Sequence, residues 1–284
     1  MTPFLLRKRN KQQERYDKRK LKKSLRRSGL HEKTCNELVE KMEKELSREV
    51  STTKLHGMAR RELEKHSKVA AANYHIKRAM ELLGPTGYPF EILCSELLKM
   101  KGFKTKVSLN VKGQFVSHEV DVYATRADMD LMCECKYHNS RTHKNDIKTA
   151  LYVYARSLDI KANPISPGFD HFLIISNTYF SKDAITYAEG VGLGLISMNY
   201  PDSEYNLVEN IIRYKVYPVT VLKSLKVSDA KSLLGEGIVV IRQLKRRRKF
   251  VQEHLGLDHD KMEKIIEEIN CLLAKAINSK RGDL

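Results

Sequence analysis

The residues with the most chemistry to offer lie in two short runs, HEVDVYA at positions 118–124 and CECK at 133–136. Both read as β-strands, in which residues two apart face the same side. Glu134 and Lys136 therefore project together from one strand, and Asp121 projects from its neighbour. Hard oxygen ligands held together by strand pairing suit Mg2+ or Mn2+. A lysine beside them can orient or deprotonate a water and stabilise a phosphorane-like transition state, which is the chemistry of phosphodiester hydrolysis. A surface salt-bridge pair would be spelled with the same letters. Placement on adjacent strands, after a helix that carries Glu91, favours the catalytic reading. Cys133 and Cys135 face away from this group; a CxC pair without further Cys or His nearby is a poor zinc signature and reads as small core residues.

The elements that must hold these residues change character along the chain. Phe4–Arg9 and Gln13–Tyr16 read as a hairpin, and Asp17 stands where an N-cap belongs, before a helix with Leu21 and Leu25 that Gly29 closes. Cys35, Leu38, Met42 and Leu46 recur at helical spacing, as do Val69, Ile76, Met80 and Leu83; between them Ser51 caps a helix with Leu55, Met58 and Leu63. Gly84 and Pro85 end this bundle. The middle segment predicts a helix over Tyr88–Met100 and strands at Thr105–Val111, His118–Ala124 and Leu131–Lys136. A helix near Asn145–Leu158 follows, then a buried strand His171–Ser176, a helix near Lys182–Glu189 and a strand Leu193–Ser197. That alternation implies a mixed sheet covered by helices. Beyond Pro218 the chain reads as a helical hairpin followed by a helix near Asp260–Ile277.

Asp121, the Glu134-Cys135-Lys136 run and the GYPFE helix followed by KGFKT resemble the PD-(D/E)xK nuclease superfamily, and within it the Mrr-like restriction endonucleases, over about Gly87–Asn199. The resemblance implies that Asp121 and Glu134 bind a divalent metal, the Cys135 carbonyl completes the site, Lys136 assists the attacking water and Glu91 supports from the helix. The proline expected before the aspartate is Val120 here. Over about residues 4–83 the sequence, from FLLRKRNKQQERYDKRKLKKSLRRSG through ELVEKMEKEL and STTKLHGMARREL to AANYHIKRA, resembles an ATP-cone. That resemblance implies ATP or dATP as a regulatory ligand, with Lys8, Arg9, Lys20, Thr52 and His56 matching nucleotide-contacting positions. A threonine at a helix start with His56 one turn on suits an anion with a base attached. Asn10-Lys11 replaces the Asp-Gly turn expected after the basic pair.

The expected fold class is α/β and multidomain. An N-terminal helical ATP-cone bundle with a small β-hairpin spans 1–84, a restriction-endonuclease-like mixed sheet flanked by helices spans 85–216, and a helical appendage spans 217–284. The formal charge of +17 divides among these as +12, 0 and +5. Basic ends around a neutral middle point to polyanionic partners, because Lys and Arg gain by displacing condensed counterions. The appendage weakly resembles a helix-hairpin-helix nucleic-acid module and equally fits a packing or dimerisation role. Its run Lys245, Arg246, Arg247, Arg248, Lys249 is either a DNA phosphate contact or a solvated helix face.

No run of 18 apolar residues exists and the N-terminus is no secretory signal, so no membrane partner and a cytoplasmic location are expected. Five cysteines without paired spacing read as reduced thiols. No GxxxxGK[ST] is present, so the nucleotide is not expected to be hydrolysed on a P-loop. The combined reading is a metal-dependent DNA endonuclease controlled by adenine nucleotide, acting as a homo-oligomer. The competing readings are a nucleotide-sensing DNA-binding regulator with a silent nuclease core, and a nuclease acting on RNA.

Overall fold

The computed structural model describes residues 5–7, 13–46, 49–140, 142–202 and 204–274. They divide into two compact units, one within Met1–Ile76 and Ile266–Leu284, the other Lys77–Ile265.

In the first unit β1 (Leu5–Arg7) pairs antiparallel with β2 (Gln13–Arg15). The next helix, α1 (Lys18–Arg27), starts where the Asp17 carboxylate accepts the Arg19 and Lys20 amides, satisfying donors that a helix start leaves open. After α2 (Glu32–Glu45) comes β3 (Glu49–Ser51), a strand that the sequence pattern did not predict. It pairs parallel with β1, so the expected hairpin is a three-stranded sheet in the order β2-β1-β3. The Ser51 hydroxyl accepts the Lys54 amide at 3.1 Å and caps α3 (Thr52–His66), which α4 (Lys68–Glu81) follows. The predicted periodic residues Leu21, Leu25, Cys35, Leu38, Met42, Leu55, Met58 and Leu63 all lie in this unit's core.

The second unit is built on a five-stranded sheet in the order β10-β8-β6-β5-β4. In chain order it comprises α5 (Tyr88–Met100), β4 (Lys104–Lys112), β5 (Ser117–Arg126), β6 (Met129–Lys136), β7 (Lys144–Asn145), α6 (Ile147–Ala162), β8 (His171–Ser176), β9 (Tyr179–Phe180), α7 (Lys182–Val191) and β10 (Gly194–Ile196). Strands β4, β5 and β6 run antiparallel to one another, while β8 and β10 join parallel after helical crossovers. The mixed sheet expected from the alternating pattern is thus present. Val120, Met132, Val153, Ile160, Phe172 and Ile174 pack its core, and β7 and β9 form a separate two-stranded ribbon. The Asn145 side chain fastens that ribbon by donating to Ser176 Oγ, Thr178 Oγ1 and the Tyr179 carbonyl.

The chain then turns helical with α8 (Leu207–Tyr214), a short 3-10 turn at Val219–Val221, α9 (Val227–Gly235), α10 (Ile241–Arg246), α11 (Arg248–His254) and α12 (His259–Leu273). The sequence reading had no helix at α8 and carried the last helix to Ile277, beyond the described residues. Gly237, at φ 68°, makes the turn between α9 and α10. Among the described residues no helix is long and apolar enough to cross a membrane.

Candidate nuclease and nucleotide sites

The β5–β6 ladder ends at Val122↔Cys133, one residue short of Asp121 and Glu134. Past that point the Asp121 side chain takes the place of a backbone acceptor: its Oδ2 receives the Cys135 amide at 2.6 Å. The exchange opens the sheet locally while keeping the Cys135 donor satisfied. Glu134, only 5% exposed, has both oxygens engaged. Lys136 Nζ donates to Oε1 at 2.6 Å, and a guanidinium nitrogen of Arg156 donates to Oε2 at 2.6 Å. Glu134 and Lys136 therefore do project together beside Asp121, as strand periodicity requires. Cys133 and Cys135 are buried, and burial pushes the Cys133 thiol well up.

Arg156, on α6, is the member of this group that sequence reasoning missed. It is itself buried, and its second guanidinium nitrogen donates to the Glu119 carbonyl. The overlooked signal was its position: Ala150, Val153, Ser157 and Ile160 form the buried stripe of α6, and Arg156 stands among them, three residues after Val153. A cation on such a stripe must be paired.

Glu91, near the start of α5, accepts a 3.4 Å hydrogen bond from Ser108 of β4. Burial, and then the negative charges of Glu119 and Glu134, hold its carboxyl above the ordinary carboxylate range, against the Ser108 bond. Ser108 adopts a left-handed φ of 53°, and the register on either side, Val107↔Val122 and Leu109↔Val120, sets it across from Asp121. Non-glycine residues rarely hold this conformation, which is concentrated at functional sites. Burial and the Glu134 charge push Asp121 up to about 7, with a further rise from Glu91; the Cys135 amide and Lys136 oppose this. Among the described residues no group of three or more His, Cys, Asp or Glu side chains is arranged to hold a metal, so any cation here would rest on two carboxylates plus the main chain.

In the first unit Thr52 opens α3 and is half-buried. His56 is engaged with α4, its Nε2 lying 3.0 Å from His75 Nδ1 and its ring stacked on Tyr74 at 4.7 Å. Lys20 is exposed on α1, seven of whose ten residues are basic. Arg19, Lys22, Lys23, Arg26 and Arg27 of that helix line an open cleft of about 560 Å³. Lys8 and Arg9 lie outside the described residues. The strand end that precedes them, Arg7, is paired with Ser51 at the threshold of α3.

In the C-terminal helices the basic run straddles the break between α10 and α11. Lys245, Arg246, Arg247 and Lys249 are exposed, whereas Arg248 is ion-paired with Glu263. The Arg247 guanidinium lies 4.3 Å from the centre of the Phe250 ring.

Three domain models match the chain: "ATP cone domain" over residues 5–79, "Restriction endonuclease" over 83–200 and "AF1548-like, C-terminal" over 217–273. An uncharacterised protein of Archaeoglobus fulgidus is 35% identical over 175 residues, which are 61% of this chain and 96% of that protein. A crystal structure described as a protein of unknown function, AF1548, is 31% identical with a TM-score of 0.54, covering 65% of this chain and 97% of that one. The MspJI restriction endonuclease, solved with a 27-mer oligonucleotide, is 13% identical with a TM-score of 0.36, covering 69% of this chain and 39% of its own. The chain belongs to the AF1548-like family and carries an ATP cone followed by a restriction endonuclease domain.

Proposed function

We propose that this protein is a metal-dependent DNA endonuclease whose ATP cone holds adenine nucleotide as a regulatory ligand. The observation that carries the reading is the Asp121, Glu134 and Lys136 group at the parting of β5 and β6, with the Cys135 amide on Asp121 and Lys136 2.6 Å from Glu134. A divalent cation fits these donors. Burial, and then the negative charge of Glu134, push Asp121 up to about 7, and a cation between the two carboxylates offsets both. Mg2+ keeps several waters and needs only one or two protein carboxylates. Asp121, Glu134 and the Cys135 carbonyl would hold Mg2+ or Mn2+, which when bound supplies an acidified water and neutralises charge on the phosphate.

The chain's own residues do the rest. Arg156 fixes one oxygen of Glu134 and so sets the direction of the other. Lys136, whose side chain keeps about a third of its surface open, is the group that can meet a water and the phosphate oxygens. Glu91 adds negative charge from α5, and its raised carboxyl suits it to share or hold a proton at the site's edge. Lys245, Arg246, Arg247 and Lys249 offer DNA phosphates a sequence-independent contact.

In the nucleotide reading Lys8 and Arg9, continuing from Arg7 beside Ser51, supply phosphate contacts. Thr52 and His56 on α3, together with Lys20, complete the set that an ATP cone implies. Without a P-loop the ligand acts by binding two states of the protein unequally, and the state it favours in a homo-oligomer is the controlled one.

Cleavage of supercoiled plasmid in Mg2+ or Mn2+, and its loss on chelation, tests the nuclease reading. Asp121→Ala, Glu134→Ala and Lys136→Ala are each expected to abolish cleavage and leave DNA affinity unchanged or raised, since loss of a carboxylate relieves repulsion of phosphate. Undiminished cleavage by the Asp121 variant contradicts the site. Intact ATP-dependent DNA binding with no cleavage would make the protein a regulator with a silent core.

A proton on Asp121 competes with the cation. At sub-saturating Mn2+ the cleavage rate should therefore fall as pH drops through about 7, by about tenfold per unit below it. A flat profile between pH 8 and 6 removes Asp121 from the metal site. Calorimetry on the full chain should show binding of ATP or dATP, with a non-hydrolysable analogue altering cleavage as ATP does. Charge reversal at Lys8 and Arg9 should remove that response while basal cleavage persists; a retained response counts against the nucleotide site.

A further inference from the structure

The loop joining β4 to β5 leaves Phe115 85% exposed and Val116 58% exposed. Exposure at a loop tip ordinarily reflects slack, yet this tip is tied down from several directions. The Asp159 carboxylate of α6 accepts the Phe115 amide at 3.0 Å and the Val116 amide at 3.4 Å, and lies 2.7 Å from His118 Nε2. Its main-chain carbonyl accepts the Gln114 amide at 2.9 Å, and the Gly113 amide donates to the Val116 carbonyl at 2.7 Å. Asn163 Nδ2 donates to the carbonyls of Lys112 and Gly113 at 2.9 and 3.0 Å. A Cβ on Gly113 would overlap the Asp159 carboxylate, so only glycine closes the turn this tightly. An aromatic ring held rigidly in water gains nothing for the fold. Leu158 and Ile165, close in the chain to Asp159 and Asn163, are exposed as well.

The strand leading to this tip says what meets it. β4 is the sheet's edge; it carries no acidic residue, and Lys104, Lys106, Asn110 and Lys112 are exposed at alternate positions along it. Midway, Ser108 is bonded to Glu91 and stands across from Asp121. Lys161 near the end of α6 is exposed too. A second copy pairing its own β4 edge to edge with this one would bring like charges against these lysines, whereas a nucleic acid offers phosphates to them and flat apolar bases to the ring.

We propose that β4 and its hairpin tip form the track on which the nucleic-acid strand lies as it passes the carboxylate site. Lys104, Lys106 and Lys112 contact phosphates, and Phe115 stacks on a base. The inference rests on the nuclease reading above and adds the strand path to it. Phe115 makes the specific contact; the lysines supply its salt dependence.

The test uses full-length protein in EDTA, so that no cleavage occurs, and DNA carrying 2-aminopurine at successive positions. Affinity is read by anisotropy, stacking by 2-aminopurine quenching and assembly by sedimentation. Phe115→Ala is expected to lower affinity at least about fivefold and remove quenching at one position, with Phe115→Tyr restoring both. Lys104→Ala, Lys106→Ala and Lys112→Ala together should flatten the salt dependence. Because Phe115 is exposed, its replacement leaves the core intact, so the readings report binding. Unchanged affinity and quenching in Phe115→Ala, with wild-type protein still binding DNA in EDTA and cutting it once Mg2+ is supplied, overturn the track alone. A shift in sedimentation with DNA affinity unchanged also overturns it, and assigns the tip to contact between copies. Wild-type protein that binds no DNA overturns the nuclease reading and this inference with it.

Discussion

A buried charge has to be answered, and in this protein the answer organises the nuclease unit. Glu134 and Arg156 are both buried, so each would be strongly destabilising alone. Their 2.6 Å pair ties β6 to α6, and the second bond of Arg156, to the Glu119 carbonyl, ties α6 to β5 as well. One guanidinium thus fixes the helix against the two strands that carry the acidic residues. Arg156 Nε finds no hydrogen-bond partner among the described residues, which marks the position as costly to keep. Replacing such a pair with apolar side chains is often neutral or stabilising elsewhere, so its presence here is better accounted for by the carboxylate it orients than by stability.

The site follows from where the sheet stops being a sheet. Between Asp121 and Glu134 the regular ladder has ended, Asp121 has taken the Cys135 amide, and Ser108 on the outer strand has turned to a left-handed conformation. Three adjacent strands depart from regular pairing at one level, and there burial and the Glu134 charge raise the Asp121 carboxyl, while burial and the charges of Glu119 and Glu134 raise that of Glu91. The first unit has a different electrostatic character: its helix α1 holds seven basic residues in ten, whereas residues 85–216 are neutral overall.

Much of this was legible in the sequence, because most elements have a clear period. The helices carrying Leu21, Leu38 and Leu63, the strands around Asp121 and Glu134, and the doubly buried strand at His171–Ser176 all stand where hydrophobic spacing puts them. What escaped has physical reasons. β3 is three residues long and is held by its parallel pairing with β1, a long-range contact that no local pattern records. α8 is a two-turn helix, too short for its period to stand out from the loop around it. Arg156 was hidden because a lysine or arginine in a helix usually reaches solvent, and only its position among the buried residues of α6 distinguishes it. The bend at Ser108 has no sequence signal, since serine is not a residue that ordinarily adopts positive φ.

The central claim is that a divalent cation rests on Asp121 and Glu134, and the most direct measurement is Mn2+ binding to the full-length protein followed by electron paramagnetic resonance at pH 8, without DNA or nucleotide. The account predicts that wild-type protein removes free Mn2+ signal at a saturable site and that Asp121→Asn, which keeps the side chain's size and a carbonyl oxygen for the Cys135 amide, loses that binding. Equal Mn2+ binding by wild type and Asp121→Asn would contradict it.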